Sequence, residues 1–85
     1  MSRQHHYLKI FPEYYRAIER GEKTFEVRFN DRNYQKHDIL HLQEWTSNGY
    51  GGREMDAEVT YVLDDPHYCK DGFVVMSIKV LTINN

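Results

Sequence analysis

Lys23, Thr24, Glu26 and Arg28 bring an ammonium, a hydroxyl, a carboxylate and a guanidinium into one short segment, Gly21 to Arg28. Read as an extended strand from Thr24 to Phe29, that segment sends Thr24, Glu26 and Arg28 to one side. Phe25, Val27 and Phe29 go to the other. Lys23 stands at the mouth of the strand. Such a set can grip a phosphate, read the edge of a base or transfer a proton. Alternating charge also blunts a sheet edge, and Glu26 and Arg28 would serve equally in a structural ion pair with Lys23 or Glu44.

These groups need a frame, and the flanking sequence supplies one. A first strand is expected from His6 to Ile10. Pro12 suits the opening turn of a helix, where its missing N–H is no loss. The helix reads Glu13 to Arg20, with Tyr14, Ala17 and Ile18 on one face, and Gly21 is placed to cap it in the left-handed conformation. After the turn-forming Asn30-Asp31-Arg32-Asn33, a third strand runs from Asp38 to Trp45. Its alternation puts Glu44 on the side of Leu40 and Leu42, so that carboxylate either leaves the core or is held there by a partner. Ser47 to Gly52 reads as a flexible glycine-rich loop, Arg53 to Leu63 as the fourth strand, and Asp64 to Gly72 as a loop. Phe73 to Leu81 is the last strand, and its apolar Val74-Val75-Met76 predicts a place inside the sheet. The expected fold is α+β: a small five-stranded mixed β-barrel with one helix after the first strand, a single domain over residues 1–85 with its core between about 6 and 81.

Composition narrows the function. A chain of 85 residues buries roughly 60% of the surface its unfolded form exposes, so a limited core must use its seven tyrosines, four phenylalanines and one tryptophan well. Buried tyrosine hydroxyls need partners, which places several rings at the margin of the core or in a groove. A formal net charge of −2 excludes a surface that is basic all round for duplex nucleic acid. It leaves room for a local patch, and Lys9, Arg16, Arg20, Lys23, Arg28, Arg32 and Lys36 all lie in the first half. One cysteine, Cys69, excludes an internal disulfide. No apolar run is long enough for a membrane span, and Met1 to His6 lacks the apolar core of a signal peptide. The expected location is cytoplasmic.

Taken together, Gly21-x-Lys23-x-x-Glu26-x-Arg28 after a short helix resembles the signature of the ASCH domains, members of the PUA-like superfamily of small β-barrels. The likeness extends through Tyr7-Leu8-Lys9-Ile10, Pro12-Glu13-Tyr14, Asn30-Asp31-Arg32, Asp38 to Trp45, Gly49 to Arg53 and Asp64 to Phe73. It is nearest to a short, mostly bacterial and phage-borne family of unassigned function. The resemblance implies a PUA-like barrel with a cleft beside the helix, lined by Gly21 to Arg28. Many such domains bind RNA. Lys23, Glu26 and Arg28 carry over as cleft residues, and Lys9 and Arg53 join them as basic residues in neighbouring matched segments. Phosphate would meet Lys23 and Arg28, a base amino group would meet Glu26, and Tyr50 or Trp45 would stack a splayed base. The expected partner is RNA, a nucleoside or a nucleotide, with no membrane and with a protein partner left open. The alternative is a small amidohydrolase acting on an acetylated nucleoside such as acetylcytidine. Some minimal ASCH-like proteins are of that kind, using a lysine, a threonine nucleophile and a glutamate. Lys23 matches their lysine. Glu26 stands where their threonine would be, which leaves Thr24 for a rearranged version.

Other constellations promise less. His37 and His41 would sit roughly 13 Å apart in a strand, too far for one metal. His67 and Cys69 are two ligands without a second pair. The Gly49 to Gly52 stretch lacks the lysine and hydroxyl of a phosphate loop. His5 and His6 read as solvated terminal residues. No metal or cofactor is expected.

Overall fold

The computed structural model describes residues 3–84. The reading of the first residues as free of an apolar leader falls partly on Met1 and Ser2, which lie outside the described residues. The elements run β1 (His5–Ile10), α1 (Pro12–Glu19), β2 (Phe25–Phe29), β3 (Ile39–Thr46), β4 (Gly49–Leu63) and β5 (Phe73–Asn84). The five strands form one mixed sheet in the order β1-β3-β4-β5-β2, curled into a half-barrel with the helix after its first strand. β1 runs parallel to β3, with Leu8 opposite Leu42. The other three pairings are antiparallel.

Alternation builds the interior. Leu8 and Ile10 of β1, Leu40 and Leu42 of β3, Met55, Ala57 and Val59 of β4, and Val74, Met76 and Ile78 of β5 are all buried and share one cluster. Burying each of the larger of these side chains is worth about 1.5–3 kcal/mol. β5 lies between β4 and β2, an interior place, as its apolar run predicts. Val75, on the other face from Val74 and Met76, stands opposite both Val27 and Leu63.

The helix begins and ends for local reasons. Phe11 is its extended N-cap, without a side-chain bond, and Pro12 opens the first turn. Gly21 takes φ +79°, where a side chain would be strained. Its N–H donates to the Ile18 carbonyl at 3.0 Å while the Glu22 N–H donates to Ala17 at 2.9 Å. That closed turn aims the chain straight into β2.

Several expectations need correction. Tyr15, not Tyr14, enters the core with Ile18; Tyr15 is fully buried and Tyr14 is 44% exposed. Two adjacent tyrosines fit helical spacing equally well, so periodicity alone was one residue out. The glycine-rich stretch is no loop: β4 starts at Gly49, and only Ser47 and Asn48 turn. At Gly51 a Cβ would lie 2.7 Å from Glu44 Oε1, so a larger residue there would push that carboxylate aside. Glu44 itself is buried, and a partner holds it, with Arg53 Nη1 3.8 Å away. Nor is His6 a solvated terminal residue, although His5 is exposed. Both belong to β1, and buried His6 meets Asp38 Oδ2 at 2.9 Å. Asp38 also accepts from the amides of Gln4 and Gln35, which ties the loop before β3 to the start of β1. No helix among the described residues is long and apolar enough to cross a membrane.

Candidate functional site

β2 is built inside out. Its charged residues turn inward: Glu26 is buried, and Arg28 is partly so. Phe25, Val27 and Phe29, on the opposite face, are each 43–55% exposed. Burial of apolar surface alone would choose the reverse arrangement. What holds the charged face inward is a closed set of bonds around one carboxylate. Lys23 Nζ donates to Glu26 Oε1, and Arg28 Nε donates to Glu26 Oε2 at 2.9 Å. Lys23 Nζ also donates to the Phe25 carbonyl at 2.6 Å. Both carboxylate oxygens thus have charged donors, the arrangement that a buried carboxylate requires.

The same arginine spans the gap between the two free edges of the sheet. Arg28 Nη2 donates to the Lys9 carbonyl at 2.9 Å, and Arg32 Nη1 donates to the Tyr7 carbonyl at the same distance. β1 and β2 share no backbone ladder. Arg28 of β2 bridges them instead, and Arg32, three residues past the end of β2, meets a second edge carbonyl of β1.

Between β1, α1 and β2 lies a cleft of about 640 Å³, lined by Lys9, Ile10, Phe11, Tyr14, Ala17 and Glu22 together with Lys23, Phe25, Glu26, Val27 and Arg28. Its charged floor is Lys23, Glu26 and Arg28. Its rim is aromatic: Phe11 and Tyr14 pack with ring centroids 6.3 Å apart. Lys23 Nζ lies 4.9 Å from the Phe25 ring and 5.7 Å from that of Tyr14, close enough for cation–π attraction. The lysine is thereby held between the two walls. Three cations, Lys9, Lys23 and Arg28, face two carboxylates, Glu22 and Glu26, so the lining carries an excess of positive charge.

Of the residues singled out in the sequence, Lys9, Lys23, Glu26 and Arg28 meet in this cleft. Thr24 does not line it. It borders a smaller recess of about 340 Å³ with Ile18, Gly21 and Ile78, and its carbonyl accepts the Ile78 N–H. Trp45 touches the cleft indirectly, its ring 4.2 Å from Lys9 Nζ, and Tyr50 packs beside it at 6.3 Å. Among the described residues, the buried Trp45 indole N–H has no acceptor, and its ring face is what meets Lys9. Arg53 belongs elsewhere. It donates to Glu19 at 2.9 and 3.0 Å and lies over the Tyr15 ring at 5.1 Å, bracing the end of α1 against β4. Burial raises the Tyr15 hydroxyl above its ordinary value, with the Arg53 charge opposing. Sequence reasoning missed Phe11 and Tyr14 as cleft residues. Their signal was the aromatic pair on either side of Pro12, at the very start of the helix.

A family model described as a domain of unknown function, DUF3850, matches residues 5–78. The "Uncharacterized 12.9 kDa protein in GpA 3'region" of Escherichia phage P2 is 35% identical over 66 residues, which cover 78% of this chain. The matched stretch spans 61% of the phage protein, so the chain reaches about three fifths of that relative's length.

Proposed function

The chain belongs to the DUF3850 family, and on the geometry of its cleft we propose that it binds RNA or a nucleotide there. We read the half-barrel as ASCH-like and of PUA-like type. The observation that carries the function is the pairing of a cationic floor with an exposed aromatic rim in one cleft. Lys23, Arg28 and Lys9 suit phosphate oxygens, and Phe11, Tyr14 and Phe25 offer faces on which an unpaired base can stack, worth about 1–3 kcal/mol per base. Exposed aromatics gathered around a basic floor are costly to keep unless something covers them. The site is small, in keeping with a few nucleotides or a single nucleotide and with the overall negative charge.

Hydrolysis of an acetylated nucleoside has less to support it. Among the described residues, no serine or threonine lines the cleft. The deciding experiment is a thermal-shift and anisotropy screen of nucleotides, acetylcytidine and short single-stranded RNA across a salt series. Binding that weakens with salt, and a Lys23→Ala variant that melts cooperatively but loses most of its affinity, are the expected results. Removing one cation that neutralises a phosphate should flatten the logarithmic salt slope by about 0.7. Unchanged affinity in that variant would take Lys23 out of the site. Turnover of acetylcytidine would reinstate the hydrolase.

A further inference from the structure

On the sheet face turned away from the core, a second cluster forms that no single stretch of sequence contains. His41 of β3 stands directly opposite Asp56 of β4, and the next outward pair is Gln43 with Glu54. His41 Nδ1 lies 2.7 Å from Asp56 Oδ1. One ligand atom each from His41, Glu54 and Asp56 falls within 4.8 Å of the others. We propose that these three residues form a binding site for a first-row divalent cation such as Zn²⁺, and that His5 orients the histidine ligand.

Three features support this. The His41 ring is fixed before any ion arrives: Tyr7 stacks on it at 4.4 Å and 13°. Its far nitrogen, Nε2, meets His5 Nδ1 at 2.9 Å. Donation of the Nε2 proton to His5 leaves Nδ1 as the nitrogen aimed at the two carboxylates, the usual way an outer partner sets a ligating tautomer. The cation would then sit between Nδ1 and the Asp56 carboxylate, which already lie 2.7 Å apart. Charge is the third feature. Glu54 and Asp56 project from one face two residues apart, and among the described residues neither forms an ion pair with a lysine or arginine. Glu58, two residues further along, does have Arg3, at 3.9 Å.

The donor set decides the ion. One imidazole with two carboxylates, leaving positions open to water, suits Zn²⁺ or Mn²⁺. Ca²⁺ would require six to eight oxygens. The site lies outside the cleft and does not depend on what the cleft binds.

The test is calorimetric titration of Zn²⁺ into chelator-treated protein free of any added histidine tag, with Co²⁺ absorption as a second readout of ligand geometry. One equivalent should bind. His41→Ala should abolish uptake, and Asp56→Asn and Glu54→Gln, which keep side-chain shape, should each weaken it at least tenfold. His5→Ala should weaken it about ten- to hundredfold. Lys23→Ala, in the cleft, should leave it unchanged. No uptake by the parent chain overturns the proposal. So does full uptake by Asp56→Asn and Glu54→Gln together, which would send the ion to another group such as His67 and Cys69.

Discussion

β4 and β2 lie on either side of β5 and obey opposite rules. In β4, Met55, Ala57 and Val59 enter the core while Glu54, Asp56 and Glu58 stay at the surface. In β2 a carboxylate goes in and two phenylalanines and a valine stay out. Removal of apolar area from water explains β4 without help. It fails for β2, where orientation follows from Lys23 and Arg28 closing on Glu26 and from Arg28 reaching across to β1. The lesson is that one strand of a small sheet can be set by a local polar contract when its neighbours supply enough core. Two of the apolar side chains left outside, Phe25 and Val27, become a wall of the cleft.

The widest test of this contrast sets a core deletion against a change in the charged floor. Leu42→Ala, at a fully buried position, should cost about 2–5 kcal/mol in urea unfolding. Glu26→Gln leaves two charged donors facing a neutral amide and should cost about 1–3 kcal/mol, the less because Lys23 and Arg28 keep 16% and 24% of their side-chain surface in water. A larger loss from Glu26→Gln than from Leu42→Ala would make β2 part of the structural core and break the comparison. Next in size is Phe25→Ala. Stability should move by no more than about 0.5 kcal/mol, whereas affinity for single-stranded RNA should fall, as measured by anisotropy. A large loss of stability there would mean that the outer face of β2 is packed after all.

The smallest effect is alkaline. Burial raises the Tyr34 hydroxyl above its ordinary value, as it does for Tyr15. A raised value in the folded state means stability that is whole below the unfolded value of about 10 and is lost as pH climbs past it. Tyr34→Phe should flatten that fall in a melting series taken above pH 9, roughly one unit below the ordinary value. An identical fall in the variant would assign it to other groups, such as the lysines.

Much of this was legible from residue order alone. The Gly21 cap, the strand alternation and the convergence of Lys23, Glu26 and Arg28 all rest on neighbours within a few positions, where local geometry dictates the outcome. Three things were not. Alternation defines two faces of β2 but does not say which is inner, because that depends on Arg28 meeting Lys9 nineteen residues away. Helical spacing could not choose between Tyr14 and Tyr15. The meeting of His41 with Asp56 depends on the register of β3 against β4, which only the folded sheet fixes. The same holds for Arg53, whose basic character said nothing of its bond to Glu19.

The arginine bridge between β1 and β2 bears on how this molecule behaves in a crowd. An open sheet has two raw borders, and each is an invitation for a stranger's strand to pair with it. Here the borders face one another across a seam that Arg28 and Arg32 already occupy. An intruding chain would have to evict a guanidinium from a carbonyl before it could form its first ladder bond. The half-barrel therefore guards its unfinished edges without closing.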